Sequence, residues 1–529
     1  MPSGSWYCFD DQCGIYFWGA HEHDGIWHLA LIETAFKQIP FQFPVLAGKA
    51  LGGYNYLLDI VLFVISKLGV PASLLYFKIQ PVAWFATFCI LLYHMGRSLH
   101  DDKRFVRLLF FFVFFSSSFG IFIQLLKHHT LTGSMGIPTM QGALSMTNPQ
   151  FMWSLCVLLA LWIFTTKDKW PGIVGLLIFA GLGLKFYFIV PAVIMVGWYL
   201  VRCILNRNIK SFMVALASTG AGVVMAYVIF YSGGTPGGLV WKPLEITHQM
   251  VEDKNLWYDQ VMVQERYFIQ QLGNFWSPRL WFIEVKTIFY FIFFNFGIRM
   301  LGVLGILVLT LFGRGKYTKS ILILLIVVMS TVMPILYIQR GTWWNTIQFL
   351  YYAIFFASIL NAEFIWYATR RTNRNILFVV CAVCALLFLP STLDILQLSL
   401  SSNSVRYIPD EEVYALQKLR SLPKGVVLTQ SFQKQETNIL ADNYDTAYVS
   451  AYSGKPVYVA DKDQLQLLGA EYGVRSKKLS DDPCSALPEV EYVYVRLNTQ
   501  DQKVSRCDEL SKEFTLFYQN NMVLLWRKE

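Results

Sequence analysis

The sequence predicts an α-helical polytopic membrane protein of about ten spans with juxtamembrane helices on its outer side, followed by a C-terminal soluble α/β domain. Three observations predict it. Of 529 residues, 55% are hydrophobic, 16% aromatic and only 15% charged, with a mean hydropathy of +0.43, which excludes an ordinary soluble enzyme or a disordered scaffold. The apolar residues gather into runs near the roughly 20 positions that a helix needs to cross the hydrocarbon core. Near Ser401 the composition then changes to an ordinary mixed sequence, the mark of a second unit. The net charge of +9 is broken into short clusters between apolar runs. That is the pattern of membrane loops, not of a face that binds nucleic acid, so nucleic acid is excluded as a partner.

Spans are expected at 74–96, 104–126, 150–166, 211–232, 293–313, 319–338, 346–368 and 375–395. The run 171–204 is too long for one span, and Gly181, Gly183 and Lys185 divide it into two with a tight turn at Lys185. Cytoplasmic loops carry the Lys and Arg excess. Five clusters fall on one side: Arg97, Lys103, Arg104 and Arg107; Lys167 and Lys169; Arg202, Arg207 and Lys210; Arg314, Lys316 and Lys319; and Arg370, Arg371 and Arg374. This parity requires that the run 54–70 does not cross and that 282–313 crosses once, so both are expected to begin as helices lying on the outer interface. Domain 1–401 then comprises a first outer loop, 1–73, and spans 74–395; domain 402–529 is extracytoplasmic. The expected location is the plasma membrane. Because residue 1 would itself lie outside, a first inward-to-outward helix is expected to be missing upstream.

The tail reads as α/β. Helices are expected at 411–422 and 462–472, buried strands at 425–429 and 456–460, an alternating strand at 489–497, and a hairpin of 514–518 and 522–526. Cys89, Cys156, Cys203, Cys381 and Cys384 fall in or beside spans, where Cys serves as a small core residue. Cys8, Cys13, Cys484 and Cys507 fall on the outer side. An oxidising compartment permits the bridges Cys8–Cys13 and Cys484–Cys507, although sequence does not fix connectivity.

The densest polar cluster before the tail is Ala20-His21-Glu22-His23-Asp24-Gly25-Ile26-Trp27-His28-Leu29-Ala30-Leu31-Ile32-Glu33. If Asp24 opens a helix, its carboxylate lies in the first turn and His28, four residues on, shares its face, so both can point into one cavity. The spacing is equally that of an Asp cap followed by solvated loop histidines.

An acid soon after the start of the first outer loop, the helix pattern Asp24-x-x-x-His28-Leu29-Ala30-Leu31-Ile32, the stretch with Pro40, Pro44 and Gly48, and then Tyr54-Asn55-Tyr56-Leu57-Leu58-Asp59 together resemble the GT-C superfamily of membrane glycosyltransferases. That superfamily includes polyprenyl-phosphate-dependent mannosyl- and aminoarabinosyl-transferases and oligosaccharyltransferases. Ser145-Met146-Thr147-Asn148-Pro149-Gln150, Trp241-Lys242-Pro243 and the stretch from Gly341-Thr342-Trp343-Trp344 to Tyr351-Tyr352 are similar to patterns in uncharacterised bacterial members. The resemblance covers roughly 1–400 and implies a many-helix bundle whose cavity opens to the bilayer and the outer aqueous phase. Members usually carry a helix before the acidic loop, and this chain does not.

The resemblance implies transfer of a sugar from a polyprenyl-phosphate donor to an acceptor hydroxyl, with inversion. It makes Asp24 the catalytic base, with His28 beside it. A hydroxyl is a poor nucleophile, and a positioned carboxylate takes its proton as it attacks the anomeric carbon. The leaving phosphate needs preorganised cations, for which Lys185, Arg299 and Arg340 are candidates. Arg299 equally fits a structural pairing inside a span, Lys185 a turn, and Arg340 an anchor to headgroups. Trp343, Trp344 and Tyr54 are candidates for sugar contact, the tryptophans fitting an interfacial belt as well. A divalent ion, Mg or Mn, has candidate ligands in Asp10, Asp11, His21 and His23, with Asp24, His28, His128, His129, Glu245 and His248 as further N and O donors. The implied partners are a polyprenyl-phosphate-linked sugar and membrane lipid. The alternative is a non-enzymatic protein for lipid or polysaccharide translocation or assembly. It is weakened by the absence of a second broken helix to match 171–204.

Overall fold

Residues near the two ends of the chain fold together. The computed structural model describes residues 3–9, 11–133, 148–167, 170–232, 238–254, 256–312, 318–340, 342–400, 405–430, 432–435, 437–497, 504 and 507–529. Asp10, Ser145, Met146, Thr147, Lys169, Arg314, Lys316 and Gly341 lie outside the described residues. The chain divides into a smaller unit of Met1–Ala83, Val228–Gly237 and Leu400–Glu529, and a larger unit of Trp84–Tyr227 and Gly238–Ser399.

In the smaller unit, strands Ser5–Phe9 and Gln12–Trp18 form a hairpin with Cys8 opposite Cys13, and these two cysteines are bridged. An isolated two-stranded hairpin is marginal in water. Here strand Val405–Pro409 pairs antiparallel with Gln12–Trp18, and Tyr16 stacks on Tyr407 with ring centroids 5.0 Å apart. The first loop and the tail therefore belong to one folding unit, and the boundary expected at 401/402 does not separate them. The first loop lacks the third strand its hairpin needs, and the tail supplies it.

The rest of the tail carries a four-stranded sheet. Its order is Val427–Thr429, Tyr492–Arg496, Val523–Lys528, Phe514–Gln519, the first pair parallel and the others antiparallel. The expected hairpin, the 489–497 strand and the first tail helix, here Asp410–Arg420, all form. Cys484 and Cys507 are bridged. Segment 456–460 contributes only a single bridge, Val427 to Val457, and on its other side the Val457 amide donates to the Pro44 carbonyl of the first loop (2.9 Å). The expected helix 462–472 stops at Leu467, where Gly469 takes φ 64°, a conformation that favours glycine.

Among the described residues seven helices are long and apolar enough to cross a membrane, or up to nine if each of two bent pairs is one span. These are the helices of a multi-pass membrane protein. The run 171–204 breaks at Lys185 into Ile173–Leu184 and a helix ending at Leu205. The 54–70 run yields only Leu57–Ser66, at ten residues about 15 Å long and too short to span. Pro278–Phe296 and Arg299–Phe312 meet at 105° about Gly297, which takes φ 58°.

Within the larger unit, Asn345–Thr369 is almost wholly buried, the position of a central helix. Arg299–Phe312 lies so close to it that a Cβ on Gly302 would sit 2.2 Å from the Asn361 Cα. Small residues permit this approach where the membrane offers no hydrophobic drive between helices. Gly302→Ala is therefore expected to cost about 1–3 kcal/mol, the range for overpacking, read as a lowered Tm of the detergent-solubilised protein. An unchanged Tm would mean that the two helices do not touch there.

Candidate functional site

Helix Asp24–Glu33 is apolar on every side, and each residue from Gly25 to Ile32 is buried, as expected of a helix enclosed by other elements. Its C-terminal end lies on the tail of the same unit. Thr34 Oγ1 donates to the Ser450 carbonyl (2.9 Å), and Arg420 pairs with Glu33 at 2.6 Å. Asp24 is the exception at the other end, its side chain 52% exposed. A carboxylate in the first turn also complements the positive end of the helix dipole.

His23 connects that exposed acid to a buried one. Its Nδ1 lies 3.3 Å from Asp24 Oδ1 and its Nε2 3.1 Å from Asp461 Oδ1, and Asp461 is fully buried. Asp461 begins the short helix Lys462–Leu467, accepting from the Gln464 amide. It is held in turn by Asp445, whose two oxygens accept from the Asp461 and Lys462 amides (2.9 and 3.2 Å). Burial opposes charge on the His23 ring, but hydrogen bonds to Asp24 and Asp461 outweigh it and hold the imidazole up at about 11. His23 is thus an imidazolium donating to two carboxylates. Burial raises the Asp461 carboxyl, and His23 pulls it back.

His28 turns inward. Its Nδ1 lies 3.1 Å from Asp59 Oδ2, its Nε2 lies 3.3 Å from the Tyr54 hydroxyl, and its ring is stacked between Tyr54 and Tyr76. With Nδ1–H donating to the buried carboxylate, Nε2 is left to accept from Tyr54. The site therefore holds two polar chains, Asp24–His23–Asp461 and Tyr54–His28–Asp59.

His21 faces Ser3, Nδ1 to Oγ 3.0 Å, and burial pushes its pKa down to about 4. The two histidines set opposite limbs of a pH profile. His21, depressed from about 6.5, contributes stability that is complete above pH 6.5 and lost as pH falls through 4. His23, raised, contributes stability that is complete below pH 6.5 and lost as pH rises through 11. Thermal unfolding against pH is expected to show both limbs. Asp461→Asn keeps the cap and suits the left-handed backbone at this position, φ 51°, so it should flatten the alkaline limb alone. An alkaline limb unchanged in that variant would count against a charged His23.

The remaining candidates lie in the larger unit or apart from these chains. Lys185 is half-buried at its helix break, and Arg340 is exposed. Their two segments meet where the Tyr187 hydroxyl donates to Gln339 Oε1 (2.8 Å). Trp344 is 49% exposed and Trp343 half-buried on the following turn. Arg299 is buried and donates to Ser358 Oγ (2.8 Å) and to the carbonyls of Phe296 and Ser116, bonds that tie two helix ends to the middle of the Gln348–Thr369 helix.

The described candidate metal ligands do not converge. Asp11 sits in the turn of the N-terminal hairpin, His21 and His23 serve different partners, and His248 pairs with Glu284 at 2.6 Å. Among the described residues no three His, Cys, Asp or Glu side chains form a group that would hold a metal ion, so the Mg or Mn expected from the sequence finds no fitting ligand set there.

Sequence reasoning missed Asp59 and Asp461. A lone acid in the apolar run Leu57–Ser66 was a usable signal for the first. Asp461 had none, since it meets His23 across 438 residues of sequence. Neither protein-family models nor characterised proteins match the chain.

Proposed function

We propose that the chain is an inverting membrane glycosyltransferase that passes a sugar from a polyprenyl-phosphate donor to an acceptor hydroxyl at the outer membrane face. The observation that carries this reading is the Asp24 carboxylate, exposed at the head of a buried helix and clamped by a charged His23 that is itself anchored on buried Asp461. Such a group is held in a fixed orientation, as a base must be. As the acceptor oxygen bonds to the anomeric carbon, the bond from that carbon to the phosphate oxygen breaks and the acceptor's proton passes to Asp24. The electron pair leaves with the lipid phosphate.

The imidazolium of His23 holds Asp24 against rotation without competing for the acceptor's proton, since it has none of its basicity left to offer. Tyr54, fixed by His28 and Asp59, supplies a preorganised hydroxyl in the same segment of the chain. Arg299, with its donors committed inside the bundle, acts as a strut.

The test supplies the purified full chain with radiolabelled polyprenyl-phosphate mannose, glucose, galactose and aminoarabinose together with membrane lipids. Transfer to lipid or glycan is expected with at least one donor. A folded protein that turns over none of them, and releases no lipid phosphate, would turn the reading toward translocation or assembly.

A further inference from the structure

The tail carries an open pocket that the chemistry above does not use, walled by Thr429, Gln430, Tyr444, Thr446, Tyr448 and Tyr494. We infer that this pocket is a saccharide subsite, which makes the acceptor a glycan held by the tail; the assignment of the acceptor rests on the glycosyltransferase reading, the binding site does not.

Its charges are already spent. Asp445, in the wall, gives both oxygens to the amides of Asp461 and Lys462. Arg496, also in the wall, is paired with Glu412 at 2.9 Å and Asp442 at 2.6 Å. Around the wall the carboxylates of Glu412, Asp442 and Asp445 outnumber the single Arg496 guanidinium, a balance that disfavours an anionic ligand such as a phosphate. What the pocket offers instead is aromatic faces, a hydroxyl and side-chain amides, the surface that suits a neutral polyhydroxyl ring with one apolar face.

Two details point to a ligand. The Thr446 hydroxyl is buried, its residue only 5% exposed, and it has no hydrogen-bond partner among the described residues. A buried hydroxyl without a partner is unfavourable, and a ligand hydroxyl would satisfy it. Tyr444 is 41% exposed and at once lines the pocket and lies against His23, with ring centroids 6.5 Å apart. A sugar ring seated on Tyr444 is therefore one residue removed from the imidazolium that holds Asp24. The same backbone joins them a second way, since Asp445 braces Asp461 and Asp461 braces His23.

Binding can be read without turnover. Saturation-transfer NMR on the detergent-solubilised full chain would use the methyl glycosides of mannose, glucose and galactose and the disaccharide of N-acetylglucosamine, with inorganic phosphate as the anionic probe. At least one neutral sugar is expected to bind. Thr446→Val, nearly isosteric, should weaken it about three- to tenfold, the worth of one hydrogen bond, and Tyr444→Ala by at least tenfold. Asp24→Asn should bind as wild type does, whether or not it transfers. Sugar contact with these losses but no transfer from any donor would uphold the subsite and overturn the enzymatic reading. No contact from any sugar, contact unchanged in both variants, or preference for phosphate would overturn the subsite, even in a protein that transfers.

Discussion

Asp24→Asn is expected to lower sugar transfer by about 10²–10⁴-fold, the usual contribution of a positioned acid or base, while the protein folds as before. The two halves of that expectation have different physical grounds. Activity falls because an amide oxygen does not take a proton from a hydroxyl at neutral pH. The fold survives because Asp24 lies half in solvent, and Asn still offers an oxygen to His23 and a side chain suited to a helix start. The KM for the donor should stay within about twofold, since the residue acts on the acceptor's proton. A loss confined to kcat with an unchanged Tm is the expected pattern. Transfer at the wild-type rate would remove Asp24 from the chemistry, and a large fall in Tm with the lost activity would make it a structural residue.

That Asp24 can be singled out at all shows what was legible in the sequence. The sequence offered Asp24 as the residue that opens a helix, and the helix begins there. The break at Lys185 was legible from length and glycine content, and the failure of 54–70 to form a spanning helix from the parity of the Lys and Arg clusters. His28 lies on the expected helix, and its partners Asp59 and Tyr54 come from outside that helix. Spacing of four residues shows which side chains share a helix face, yet not which of them the surrounding protein covers. Here Leu57–Ser66 brings Asp59 against His28, while Asp24 at the helix end stays open. The union of the first loop with the tail was not legible. Strand pairing between Gln12–Trp18 and Val405–Pro409 joins segments almost four hundred residues apart, and neither carries a local signal for its partner. The same long-range closure brings Asp461 to His23 and puts Tyr444 beside it.

The largest loss of stability in the tail is expected from Glu412→Ala. Arg496, 4% exposed, donates through Nε to Glu412 and through a terminal nitrogen to Asp442, and the Tyr494 hydroxyl donates to the other Glu412 oxygen at 2.8 Å. Two carboxylates thus share one guanidinium in a buried site, each bonded to it directly. Removing one partner from a buried pair typically costs 3–5 kcal/mol, because the remaining charge stays buried without full compensation. Here Asp442 retains some of the pairing, so the expected cost is about 3 kcal/mol, at the lower end of that range. Glu412→Gln should fall between, keeping an acceptor for Tyr494 while surrendering the charge. The effect should also reach the pocket, since Tyr494 and Arg496 belong to its wall. Thermal unfolding with hydrogen exchange on the full chain separates the outcomes. Early exchange in Tyr492–Arg496 and Asp410–Arg420 with unchanged protection in the Asn345–Thr369 helix would localise the loss to the tail. A Tm and exchange pattern unchanged from wild type would mean that the triad is neutral to stability, its desolvation matching its pairing, and that the pocket wall is held by the apolar contacts of the sheet alone.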